Sequence, residues 1–202
     1  RSSINVKWLE PDDFLIRAPA NRSAPQGRVI QAVGGQLVTR EAHEAPTVLQ
    51  DTVVADTERD LLKLAVIERH AASGNIGLGL VRGFGLKRGA LASTVAHDAH
   101  NLIVVGTNDH DMLAAAVHLV KMRGGLCAVA DGEVLADVPL PIAGLLSESP
   151  AATVVDQLIR VRKAARAIGS PLDDPFMTLA FMSLSVIGDL KLTDRGLVDV
   201  AR

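Results

Sequence analysis

The chain has 202 residues, with 21 Lys and Arg against 23 Asp and Glu for a net charge of −2. That balance, with 2% aromatic residues and no Tyr, excludes the basic, ring-lined surface of a nucleic-acid binder. A composition 48% hydrophobic and 22% charged is that of a packed globular protein, and no apolar run reaches the ~20 residues of a membrane-spanning helix.

The opening Arg1-Ser2-Ser3-Ile4 has neither an initiator Met nor the apolar core of a secretory leader, so it reads as a trimmed or fragmentary start with no signal peptide. The single Cys127 rules out an internal disulfide framework and a Cys-rich zinc site. It lies in the apolar run Leu126-Cys127-Ala128-Val129, reads as a buried small hydrophobe, and suits a reducing, cytoplasmic setting.

Residues 1–27, with Pro11, Pro19 and Pro25, read as an extended lead-in with one strand near Phe14–Arg17, and residues 28–202 as one domain. Arg28–Val33 is predicted as a strand stopped by Gly34-Gly35, and the β-branched stretch Thr47–Val54 as strand paired nearby. Asp56 as N-cap, Glu58 and Asp60 in a first turn, and Leu61, Leu62, Leu64 and Ala65 as an apolar face predict a helix ending near Arg69-His70. Gly74 to Gly89 is glycine-dense, but no helix follows it, so a phosphate cradle is set aside for a strand whose glycines permit close backbone approach.

Ala90–His97 and Leu102–Thr107 give the strongest hairpin signal, around the polar tip His97-Asp98-Ala99-His100-Asn101. A helix capped by Asn108 and stopped by Gly124-Gly125 follows, then a second hairpin about Asp131-Gly132. A long helix over Ala151–Ile168 is expected to turn Val154, Val155, Leu158, Ile159 and Val161 inward and Arg160, Arg162, Lys163 and Arg166 to solvent. A short helix near Pro175–Leu184 and a strand–turn–strand over Leu190–Asp199 close the chain. The sum is an α+β fold, a largely antiparallel β-sheet with packed α-helices.

Proton-transfer or metal-ligand character gathers in one place: His97, Asp98 and His100, with Asn101 beside them. Two imidazoles and a carboxylate across a turn suit a transition metal, or an acid–base pair in which Asp98 orients a histidine. The same residue types are also ordinary turn formers. A metal site needs three or four protein ligands, and His43, His70, His110 and His118 add no matching motif. Nor is there a His-x-His, a His-Glu-x-x-His or a Gly-x-Ser-x-Gly, so a self-contained active site is not expected.

The stretches Glu68-Arg69-His70, Gly74-Asn75-Ile76-Gly77-Leu78-Gly79, Gly83-Phe84-Gly85-Leu86-Lys87-Arg88-Gly89 and Ala92 through Gly106 resemble the C-terminal region of bacterial and archaeal adenine deaminases. So do Leu140-Pro141-Ile142-Ala143-Gly144-Leu145, Leu172-Asp173-Asp174-Pro175-Phe176-Met177 and Leu190 through Leu197, and the likeness runs over roughly residues 5–200. Ala99 stands where many members carry Ser, so no hydroxyl role is carried over to it. The resemblance implies an amidohydrolase that converts adenine and water to hypoxanthine and ammonia, with a divalent metal pair (manganese, iron or zinc) in a (β/α)8 barrel. Such a barrel takes about 250 residues, more than this chain holds. The expectation is therefore a domain appended to an upstream barrel that carries the metals, inactive on its own and with neither membrane nor nucleic acid as a partner; the whole protein would be a homo-oligomer. The His97–Asn101 tip would then cap or support the purine pocket. The alternatives are a structural or oligomerisation module and an independent small-molecule-binding module.

Overall fold

The computed structural model describes residues 3–18 and 26–200; Pro19 and Pro25 of the lead-in lie outside them. A 3-10 turn at Pro11–Phe14 leads into β1 (Ile16–Arg17), so Phe14 ends the turn and does not open the strand. Next come β2 (Gly27–Ala32), β3 (Thr39–Glu44), β4 (Thr47–Leu49), β5 (Thr52–Val54), β6 (Leu62–Ile67), β7 (Ile76–Arg82), β8 (Ala90–Ser93) and β9 (Leu102–Gly106). Helix α1 (Asp109–Met122), β10 (Gly125–Ala130), β11 (Glu133–Pro139), α2 (Ala151–Ala167), α3 (Pro175–Ala180), β12 (Leu190–Thr193) and β13 (Gly196–Asp199) complete the order.

Eight strands form one sheet in the order β11-β10-β8-β9-β6-β7-β2-β3. Every pairing in it is antiparallel except β2 with β7, so the fold is the α+β class expected. The sheet is covered on both faces. Leu62, Leu64, Val66, Ile103 and Val105 turn toward α2, α3 and the β12–β13 hairpin, while Ala65, Ile67, Val104 and Cys127 turn toward α1 and Phe14. A small sheet, β1-β5-β4, closes a third cluster over Val29 and Leu80. Among the described residues no helix is long and apolar enough to cross a membrane.

The predicted helix from Asp56 to His70 is instead a turn followed by the central strand β6. Asp56 does cap, but through an Asx-type turn: its Oδ1 accepts from the amides of Glu58 and Arg59, each at 3.2 Å. Asp60 then takes φ 52°, which stops any helical continuation. Leu61 to Ile67 is buried on both faces between β7 and β9, and a run apolar but for Lys63, which is itself buried and ion-paired with Asp109, has no period to separate strand from helix.

Helix α2 is also turned by one row from expectation. Val154 and Leu158 pack partly on the core, and Val161 and Ala165 are buried, giving a stripe at i, i+4, i+7 and i+11. Val155 and Ile159, expected inward, are 53% and 59% exposed. Two of the outward cations are ion-paired, Arg162 with Asp174 and Arg166 with Asp173.

The other hairpins and caps form where the sequence placed them. Asn108 accepts from Asp111 N–H at the start of α1, β8 pairs with β9, and β10 with β11. β12 pairs with β13 across Asp194-Arg195. The glycines of β7 serve close approach: a Cβ at Gly77 would lie 1.8 Å from the Thr193 carbonyl oxygen, because the β12–β13 hairpin sits directly on that strand.

Candidate functional site

The alternation of antiparallel strands sends the end of β6, the start of β7, the end of β8, the starts of β9 and β10 and the end of β11 to one rim of the sheet. The sequence-predicted loop between β8 and β9 lies there. It is longer than the hairpin tip expected, because the strands stop at Ser93 and resume at Leu102.

The structure brings two of the four candidates together and separates the others. The His97 and His100 rings meet edge to face with centroids 5.4 Å apart, and His97 stacks on Phe181 at 4.8 Å. Asp98 is exposed, and no hydrogen bond joins it to either imidazole among the described residues, so the orienting carboxylate imagined from sequence is not formed. Asn101 turns inward: it is 5% exposed and donates to Asp194 at 3.2 Å, while its Oδ1 is buried without a partner among the described residues. The loop is anchored to α3 by His97 N–H donating to Ala180 O, and to the turn after α3 by the Ser183 hydroxyl donating to His97 O.

Beneath the loop lies a residue that sequence reasoning assigned to a helix end. Arg69, 1% exposed, follows directly on β6 and spreads its guanidinium among four carbonyls. It donates to His100 O, to Ser3 O at 2.9 Å, to Thr94 O at 3.4 Å and to Ala143 O at 3.1 Å. No carboxylate faces it among the described residues, and burial pushes its pKa below the ordinary arginine value. Gly144, at φ 70°, packs against the guanidinium, where a Cβ would come within 3.1 Å. Thr94 ties the same rim together, its hydroxyl donating to Gly144 O at 2.7 Å and accepting from Gly125 N–H at 2.8 Å.

The neighbours of Arg69 complete the frame. Burial works to raise the pKa of Glu68, and the amides of Ser73, Ala71 and His70 with the Ser73 hydroxyl overcome it, holding the carboxyl at about 2. Glu68 thus staples its own loop and leaves Arg69 to the carbonyls. His70 reaches across to Ala99 O at 2.8 Å, and Asn5 binds the carbonyls of Arg69 and His70, so the incoming chain runs along this rim. Burial first, then the charges of His97 and Arg69, lower the His100 pKa, with Asp98 working the other way. A single signal in the sequence points to this frame, the triplet Glu68-Arg69-His70 at the end of a run that is apolar but for Lys63.

Among the described residues no group of three or more His, Cys, Asp or Glu is arranged to hold a metal ion. What the geometry defines is an α+β domain that presents a braced, histidine-bearing loop at one rim of its sheet. The chain belongs to the adenine deaminase C-terminal domain family, whose model matches residues 36–202. It is 49% identical over 199 residues to an adenine deaminase of Dehalococcoides mccartyi, which covers 98% of this chain and 34% of that protein. It is 50% identical over 200 residues to an adenine deaminase of Moorella thermoacetica, with 98% and 34% covered, and 53% identical over 200 residues to one of Brucella anthropi, with 99% and 35% covered. The chain thus spans about a third of the length of the curated relatives it matches.

Proposed function

We propose that this chain is the accessory domain of a hydrolytic adenine deaminase, and that its His97–Asn101 loop closes or supports the purine site of an upstream catalytic domain. The observation that carries this reading is the Arg69 junction. One buried guanidinium binds both the loop, through His100 O, and the entering chain, through Ser3 O. An upstream domain joined at that point meets the rim that bears the loop. The same rim exposes Ile142 and Leu146, the latter by 62%, on the turn that also gives Arg69 its Ala143 carbonyl.

In this reading adenine and water give hypoxanthine and ammonia. In this reading the divalent metals, which activate water in such chemistry, are carried by the upstream domain. The part left to this chain is to shape the pocket, to exclude water and to hydrogen-bond the base. His97, braced on Phe181, and His100, braced on Arg69, are the side chains placed for it.

The test is kinetic. In the full-length protein, His97→Ala or His100→Ala should lower kcat/KM by about five- to thirtyfold, the worth of one or two hydrogen bonds. Bound metal should be preserved, and both variants should remain folded at the assay temperature. Unchanged kinetics would reject the reading. A second reading, an oligomerisation module, draws on the exposed Val155 and Ile159 of α2. Under it, Val155→Asp with Ile159→Asp changes the mass measured by light scattering and leaves per-site kinetics alone.

A further inference from the structure

His100 is held in place from three sides. Its N–H donates to Ala96 O at 2.6 Å, and its carbonyl accepts from Arg69 Nε. These contacts hold it at φ 50°, in the left-handed region that non-glycine residues enter only when the surroundings impose it. The tight turn folds its ring back over the chain, where the Ala96 N–H meets Nδ1 at 3.3 Å.

That last contact fixes the chemistry of the ring. A backbone amide can only donate, so Nδ1 must offer a lone pair. An imidazole with a lone pair on Nδ1 is neutral and carries its proton on Nε2. Ala96 is wholly buried, so protonating Nδ1 would strand its amide without an acceptor. The charged and titratable groups facing the ring act in the same sense on balance. His97 on the loop, with Arg69 and His70 from the segment after β6, disfavours a second proton, and Asp98 alone favours one.

We propose that His100 is a fixed hydrogen-bond donor, a neutral imidazole whose Nε2–H recognises an in-plane ring-nitrogen lone pair of the purine base. This rests on the reading that the loop reaches the substrate. It gives His100 the role of reading the base, distinct from proton acceptance in the reaction. The ligand class it selects is a heteroaromatic base with an unprotonated ring nitrogen at the pocket mouth.

The experiment has two arms. In the first, the histidines are labelled with nitrogen-15 and the ring nitrogens observed from pH 6 to 8. Nδ1 of His100 should show the lone-pair type and Nε2 the protonated type throughout; a proton on Nδ1 near neutrality overturns the proposal. In the second, the inhibition constants of 1-, 3- and 7-deazaadenine are measured on the full-length protein and on His100→Ala, His100→Gln and His97→Ala. His100→Ala should weaken two of the three analogues about three- to tenfold and leave unchanged the one that lacks the paired nitrogen. His100→Gln, whose amide N–H lies at similar reach, should restore most of that loss. If His97→Ala lowers kcat/KM while His100→Ala weakens all three analogues equally, the donor role falls and the loop's place at the substrate stands. If neither variant changes kinetics, the reading beneath the proposal falls and takes the proposal with it.

Discussion

Replacing Arg69 by Met removes the guanidinium and keeps most of the side-chain volume. Four carbonyls lose a charge-assisted donor: Ser3 O, Thr94 O, His100 O and Ala143 O. Each such bond contributes about 1.5–3 kcal/mol. Ser3, His100 and Ala143 lie at the rim, where water can take the donor's place, whereas Thr94 is wholly buried. Counting Thr94 O in full, and the three rim carbonyls together as one further bond because water replaces a charged donor only in part, gives a loss of about 3–6 kcal/mol. Relief from burying a cation that no carboxylate faces among the described residues offsets some 1–2 kcal/mol of this. The net expectation is a destabilisation of about 2–4 kcal/mol, or a fall in Tm of roughly 4–16 °C for a chain of this size. Urea unfolding followed by circular dichroism measures it. Arg69→Lys should recover less than half, since an ammonium cannot reach four separated carbonyls. A loss below about 0.5 kcal/mol in Arg69→Met, the range of an ordinary surface change, would refute the view that Arg69 braces this rim.

Gly77→Ala should cost about 2 kcal/mol or more, because the new Cβ meets the Thr193 carbonyl, whereas Gly34→Ala, with only Leu172 at 3.5 Å, should be near neutral; paired denaturation curves compare them. Cys127 is wholly buried with its thiol pKa raised by that burial, so Ellman's reagent should leave it unmodified in native buffer and label it in denaturant. Lys191, also wholly buried, binds the carbonyls of Leu37 and Phe181, and burial lowers its pKa to about 8. A lysine with a depressed folded value destabilises the native state at low pH, so stability contributed at this site should rise by about 3 kcal/mol as pH climbs from about 8 to about 10.5. The rise is read as the difference between wild type and Lys191→Met, because the raised Cys127 thiol gives the opposite slope above its unfolded value.

Local grammar carried most of the fold into the sequence. Asn108, Asp131-Gly132 and the alternation on either side of His97–Asn101 each encode a cap or a reversal within a few residues; the first two form as read, and the third forms with its first strand ending at Ser93. The error at β6 came from a segment with no solvent face, its one polar residue, Lys63, being buried as well. Leu61–Ile67 is buried on both sides, so only its partners β7 and β9, far apart in sequence, decide its shape. The error on α2 has a related origin, since two adjacent apolar rows were available and tertiary packing chose one. For the candidate site, composition located the loop but not its support. Arg69 lies 31 residues from His100, and nothing in local spacing announces that a buried cation will collect four carbonyls from three segments.

The position of β2 has a consequence for anyone who cuts this chain. The family match begins at Gln36, yet β2 ends at Ala32 and stands inside the large sheet, paired with β3 on one side and with β7 through Val29, Ile30 and Gln31 on the other. A fragment begun at the matched boundary would open a slot the width of one strand and bare two new edges, with Ile30 missing from the core. Such a fragment invites sticky self-association, whereas one begun ahead of Gly27 keeps the slot filled.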